Sequence, residues 1–220
     1  MRADHQKQIL PVVGISAILF GSFVLKRPLS PKWPANGPSL LEGMVFSKET
    51  WRTISDWGIK GVVFGGFGYY FIRLVKDREK AKNQAIGGFS AFLLTEGVTS
   101  ITKRLVARER PNRMDNMSFF SGHASYAFSI AVYLSMNLFD NYGEDRPVVT
   151  KAVAALVIGA AAVTSVARSG AGRHYFLDVV VGMIVGTGIG FLNHRVFKTD
   201  QPSSCRREIC SLIPSRNSSQ

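Results

Sequence analysis

The sequence predicts an all-α fold, a six-helix transmembrane bundle with a short amphipathic helix at the interface. Three observations carry this. Apolar stretches recur near 9–25, 57–75, 84–102, 122–139, 149–166 and 176–193, each about 17–20 residues long and so able to cross a hydrocarbon core as helix. Lys and Arg cluster at the ends of these stretches, where such side chains meet lipid headgroups. Glycines recur four residues apart inside two of the stretches, the spacing that lets helix backbones approach closely in lipid. The mean hydropathy of +0.09 hides this segregation, because polar connectors and a polar tail dilute it.

The 220 residues leave room for one ordinary domain, predicted over 1–198, with 199–220 as a polar cytoplasmic tail. The first stretch follows Arg2 and Lys7 like a signal peptide, but Phe23-Val24-Leu25-Lys26-Arg27 offers no small-residue cleavage site, so a retained helix is expected. The connector 26–56 begins extended, with Pro28, Pro31, Pro34 and Pro38. Ser39–Phe46 then reads as a helix lying at the interface, and Trp51 and Trp57 as an aromatic belt at the entry to the second span. That span carries Gly61 and Gly65, a close-packing pair. The connector Lys76–Asn83, with Lys76, Arg78, Lys80 and Lys82, has a cytoplasmic signature. The fourth and fifth spans turn around Asn141–Pro147 and return the chain to the face it left. Gly182, Gly186 and Gly190 form a packing ridge on the sixth.

Six spans place both termini on one side. The connectors 103–121 and 167–175 are also basic, so counting charges barely orients the chain. If those cations serve phosphate binding, both connectors face away from the cytoplasm. The expectation is a multi-pass bacterial inner-membrane protein, its motif surface toward periplasm or lumen and both termini cytoplasmic.

Lys and Arg number 27 against 15 Asp and Glu, a formal charge of +12. Nucleic acid is the weaker explanation, because no interleaved basic and aromatic surface accompanies the charge; anionic membrane lipid is the stronger one. Cys205 and Cys210 are the two cysteines, too few for a disulfide framework, and in a cytoplasmic tail both would be free thiols. Oligomeric state is not legible.

Three stretches carry chemistry: Lys103-x6-Arg110-Pro111, Ser121-Gly122-His123, and Arg168-x5-His174-x3-Asp178. They supply three cations, two imidazoles and a carboxylate, the set needed to grip a phosphoryl group, attack it and protonate the departing oxygen. No acidic cluster suited to a metal accompanies them, and no cofactor is expected. Lys103 and Arg110, two helical turns apart, would share one face if the third helix runs to Pro111. Ser121 stands where an N-cap would, and Gly122 lets backbone approach an anion at the positive end of the fourth helix. His123 is then a general-acid candidate; the helix dipole disfavours its protonation and a bound phosphate favours it. His174 and Asp178 would share a helix face, so that the carboxylate takes the proton of one imidazole nitrogen and leaves the other to attack. Arg168 would clamp the phosphate from the connector.

Glu96 lies in a polar stripe with Thr99 and Ser100 and is given a supporting role, pairing with Lys103 or a neighbouring helix. Arg173 is a second supporting candidate, toward another anionic group. Arg104, Arg108 and Arg113 read as snorkelling anchors at helix ends, and His5 and His194 have no comparable company.

These motifs resemble the type 2 phosphatidic-acid phosphatase superfamily, whose pattern is K-x6-R-P, P-S-G-H and S-R-x5-H-x3-D. Phe120 stands in place of that family's Pro and Ala167 in place of its Ser. The resemblance implies His174 as nucleophile oriented by Asp178, His123 as acid, and Lys103, Arg110, Arg168, Ser121 and Gly122 as the phosphate cradle, without metal. It implies a lipid phosphate or pyrophosphate as substrate: phosphatidate, phosphatidylglycerol phosphate, undecaprenyl pyrophosphate or a lipid A phosphate. A soluble secreted acid phosphatase with a cleaved leader, and a non-enzymatic protein binding anionic lipid, are the competing readings. A related haloperoxidase architecture needs a longer chain.

Overall fold

The structure, a computed structural model, describes residues 45–76 and 78–198. Five helices make up this part: α1 Lys48–Lys76, α2 Arg78–Val106, α3 Gly122–Tyr142, α4 Pro147–Gly170 and α5 Phe176–Phe197. The predicted first span, all but the last two residues of the predicted interfacial helix, and the tail with both cysteines lie outside the described residues. Within them the chain is all-helical.

α2, α4 and α5 are each long and apolar enough to cross a membrane. The predicted second and fourth spans form helices, α1 and α3, that fall short of that apolarity. For α3 the reason is its position. It packs against all four other helices and buries Ser125, Ser129, Ser135 and Asn137, so it has little surface to offer lipid. In α1, five glycines and several polar residues dilute the apolar stretch.

α1 starts earlier than expected. Ser47 Oγ accepts the Thr50 N–H at 3.1 Å, a capping bond that opens the helix ahead of Trp51. Trp51 therefore serves less as a lipid anchor than as a packing side chain: its ring fills the space above Gly170, at the end of α4. α2 likewise starts within the expected connector, at Arg78.

The helices alternate in direction. The starts of α1, α3 and α5 and the ends of α2 and α4 gather at one end of the bundle. Ser121 N–H donates to the Asp178 carbonyl at 3.0 Å, which ties the starts of α3 and α5 together. Along the same pair, a Cβ at Gly182, Gly186 or Gly190 would collide with the carbonyl oxygens of Ser121, Ser125 and Ser129. The glycine ridge thus allows backbone-to-backbone packing. In α1 the expected pair is one register off. Gly61 and Gly65 meet nothing among the described residues, whereas Gly58 lies against Thr164 and Gly66 against Ile130. Val62 sits between those two in a core with Ala127, Ile130, Ala131 and Ala161.

The opposite end is held by polar contacts. Tyr133 donates to the Gln84 carbonyl at 2.8 Å and Asn141 to Tyr69 at 2.9 Å. His194, expected to stand alone, is buried with Nε2 2.8 Å from Asp140 Oδ2, and Lys198 reaches the same carboxylate at 3.2 Å.

Candidate active site

α2 ends at Val106, well short of Pro111, and Ala107 leaves the helix at φ 48°. Lys103 and Arg110 therefore do not share a helical face. Lys103 approaches from the last turn of α2, its Nζ 3.3 Å from where a Cβ on Gly122 would be. Arg110 arrives from the loop 107–121, where Asp115 Oδ1 accepts its Nε at 2.6 Å. Asp115 Oδ1 also accepts the Met117 N–H at 2.8 Å, so one carboxylate shapes the loop and aims the guanidinium. Arg110 Nη1 then lies 3.4 Å from His174 Nε2.

Arg168 comes from the last turn of α4 rather than from a connector, and is 7% exposed. Its Nη1 lies 3.2 Å from Asp56 Oδ1, while its buried Nε has no partner.

His174 precedes the Tyr175 N-cap of α5 and is 1% exposed. Its Nδ1 is 2.7 Å from the Ser118 carbonyl oxygen. A carbonyl can only accept, so Nδ1 carries the proton and Nε2 presents its lone pair. Burial foremost, and then the charges of Lys103, Arg110 and Arg168, hold the pKa of this imidazole well below the ordinary histidine value. The ring is neutral at physiological pH.

The expected His174–Asp178 pair does not form. α5 starts after His174, so the two residues are not on one helical face. Asp178, wholly buried, turns back on other groups: Arg108 Nη1 at 2.6 Å, Ser118 Oγ, and the Tyr175 N–H at 3.3 Å. Ser118 joins the two, binding Asp178 with its hydroxyl and His174 with its carbonyl. Arg108 is thus an internal partner and no snorkelling anchor; its guanidinium also stacks 4.2 Å above the Tyr175 ring. The clue in the sequence was the acid itself, since a carboxylate in an apolar helix requires a partner.

His123 stands in the first turn of α3, with Nε2 3.5 Å from Asp56 Oδ1. Lys103, Arg110 and Arg168 all act electrostatically on this ring as they do on His174, so both imidazoles face one cluster of cations. Ser121 is the N-cap residue of α3, but its side chain makes no capping bond and its buried Oγ has no partner. That hydroxyl lies at the start of α3, next to Gly122, which the Lys103 ammonium approaches.

Residues 85–202 match the family model of the PAP2 superfamily. The chain belongs to that superfamily. It is also similar to a PA-phosphatase related-family protein of Dictyostelium discoideum, at 30% identity over 152 residues, which cover 60% of this chain and 54% of that one. The chain spans about half the length of this curated relative. No solved structure matches it.

Every motif residue lies within the PAP2 segment, whereas Asp56 lies ahead of it. Of the two supporting candidates, Glu96 accepts the Ser100 hydroxyl at 2.7 Å and acts on Lys103 through its charge rather than by direct contact. The Arg173 carbonyl lies 3.5 Å from Arg110 Nη1, and its own guanidinium reaches the Met114 sulfur at 3.7 Å. Phe120 and Ala167, which depart from the family pattern, are both buried. Among the described residues no three His, Cys, Asp or Glu side chains gather around a metal position. The arrangement gathers one neutral oriented imidazole, three cations, an unpartnered hydroxyl and the start of a helix, a set chemically able to hold an anion against a nitrogen lone pair.

Proposed function

We propose that this PAP2 superfamily member is a membrane phosphatase that hydrolyses a lipid phosphate through a phosphohistidine at His174. The observation that carries the reading is the bond from His174 Nδ1–H to the Ser118 carbonyl, which leaves Nε2 free beside Arg110. Nε2 attacks phosphorus while Lys103, Arg110, Arg168, the Ser121 hydroxyl and the first N–H groups of α3, from Gly122 on, neutralise the phosphoryl oxygens. The negative charge of the bound phosphate lets His123 hold a proton against the same cations. His123 gives that proton to the departing oxygen, then takes one from the water that cleaves the P–N bond. The cations supply the charge stabilisation, so no metal is needed. Phosphatidate, phosphatidylglycerol phosphate, undecaprenyl pyrophosphate and a lipid A phosphate all suit this chemistry. The site end of the bundle faces away from the cytoplasm, and the lipid chains lie along the flanking helices.

The test is phosphate release by the purified chain in detergent across this set of lipids, with trapping of an acid-labile phosphoenzyme. Full turnover by His174→Ala would overturn the mechanism. Binding of the lipids without turnover would favour a non-enzymatic role.

A further inference from the structure

Asp56 places a carboxylate against both the proposed general acid and the proposed arginine clamp. Its Oδ1 lies 3.5 Å from His123 Nε2 and 3.2 Å from Arg168 Nη1. Its Oδ2 is 3.7 Å from the exposed Arg52 Nε, one helical turn back on α1. The Asp56 side chain is 40% exposed, so it stands at the rim of the anion site rather than beneath it.

In an in-line displacement the departing oxygen lies opposite the nucleophile. With His174 attacking, that oxygen must come within about 2.6–3.2 Å of the His123 nitrogen that protonates it. Whatever is attached to it then lies beside Asp56. An alcohol brings no charge there. A second phosphate brings negative charge close to the carboxylate, at a rim where solvent screens only in part.

We propose that Asp56 is a specificity-determining residue that makes the site select phosphate monoesters over pyrophosphates. The inference rests on the phosphatase reading above, in which His123 is the acid. In both reactions the His174 Nε2–P bond forms and the bond from phosphorus to the departing oxygen breaks. Its electron pair goes to that oxygen, which takes the His123 proton. The two reactions differ in the charge carried behind it: a neutral alcohol in one, an anionic alkyl phosphate in the other. Asp56 also engages Arg168, but removing it frees Arg168 for either substrate. The discriminating quantity is therefore the ratio.

The experiment uses the full chain in detergent micelles, with dodecyl phosphate and dodecyl pyrophosphate as matched substrates. Asp56→Asn should move the ratio of kcat/KM values toward the pyrophosphate by about tenfold. Asp56→Glu, which keeps the charge, should leave the ratio near that of the parent protein. A parallel fall on both substrates, as expected if Asp56 merely positions His123, overturns the proposal, as does an equal shift with Glu. Asp56→Ser serves if the Asn variant does not fold. Calorimetric binding of inorganic pyrophosphate and inorganic phosphate provides a readout without turnover. Asp56→Asn should tighten pyrophosphate by the larger factor, and equal factors refute the role. If the parent protein cleaves neither lipid, the phosphatase reading fails while the binding ratio still decides the role of Asp56.

Discussion

Arg108 Nη1 lies 2.6 Å from Asp178 Oδ1, and this pair, rather than the nearby histidine, satisfies the acid at the start of α5. Asp178 in turn holds Ser118, and the Ser118 carbonyl holds His174. The carboxylate thus acts on the imidazole at one remove, through a serine that contacts both. A neutral carbonyl fixes the tautomer without adding negative charge next to the imidazole.

Arg108→Met should be among the most destabilising single changes in the molecule. It leaves a fully buried carboxylate without its cation, a loss of roughly 3–5 kcal/mol. Thermal unfolding in detergent measures it. Adding Asp178→Asn in the same chain should recover part of the loss, because the uncompensated charge is then gone. An unchanged melting temperature in the single variant would show that the pair carries no stability.

The pH dependence follows from His174. Burial and three cations depress its pKa, so Nε2 stays unprotonated as pH falls. The acid limb of kcat/KM belonging to the nucleophile should therefore lie below about 6.5, the ordinary histidine value. Linkage has the same sign. Between the two pKa values the unfolded chain holds a proton that the folded chain does not, so stability declines as pH drops below about 6.5. That loss levels off once the folded imidazole titrates. An acid limb at or above 6.5 that moves with substitutions at Arg110 would contradict this environment.

Two glycines on α5 should behave in opposite ways. Gly186→Val would drive a side chain into the Ser125 backbone, at a cost of about 1–3 kcal/mol, and separate the starts of α3 and α5 with loss of phosphate release. Gly188→Ala meets nothing within 4 Å and should be neutral, or stabilising by about 0.5–1 kcal/mol through helix preference. Comparing melting temperatures and turnover of the two variants checks the packing.

Orthovanadate, a phosphate mimic that accepts a fifth ligand, should inhibit phosphate release competitively, with Arg168→Ala and Lys103→Ala weakening its hold. Activity should survive extensive treatment with EDTA. Loss of activity on chelation, restored by a divalent metal, would require a different mechanism.

Much of this site was legible from spacing. Lys103, Arg110, Ser121, Gly122, His123, Arg168, His174 and Asp178 are far apart in sequence, and helix counting alone brings them to one end of the bundle. Local geometry was less legible, because helix ends depend on single residues. α2 stops at Ala107 and not at the proline, which puts Arg110 on a loop. α5 starts after Tyr175, which separates His174 from the acid four residues on. Partner choice was hidden for another reason: Arg108 and Ser118 reach Asp178 only when the 107–121 loop folds across α5. The α1 packing face, through Gly58 and Gly66 rather than Gly61 and Gly65, depends on the rotation of that helix against α3 and α4.

Asp56 belongs to a helix upstream of the segment that defines the superfamily. If Asp56 sets which leaving group the site accepts, chains that share every motif residue would differ in preference through one position outside those motifs. Grouping by signature sequence alone would then merge chains of different preference, and α1, the first helix among the described residues, is where to look for what separates them.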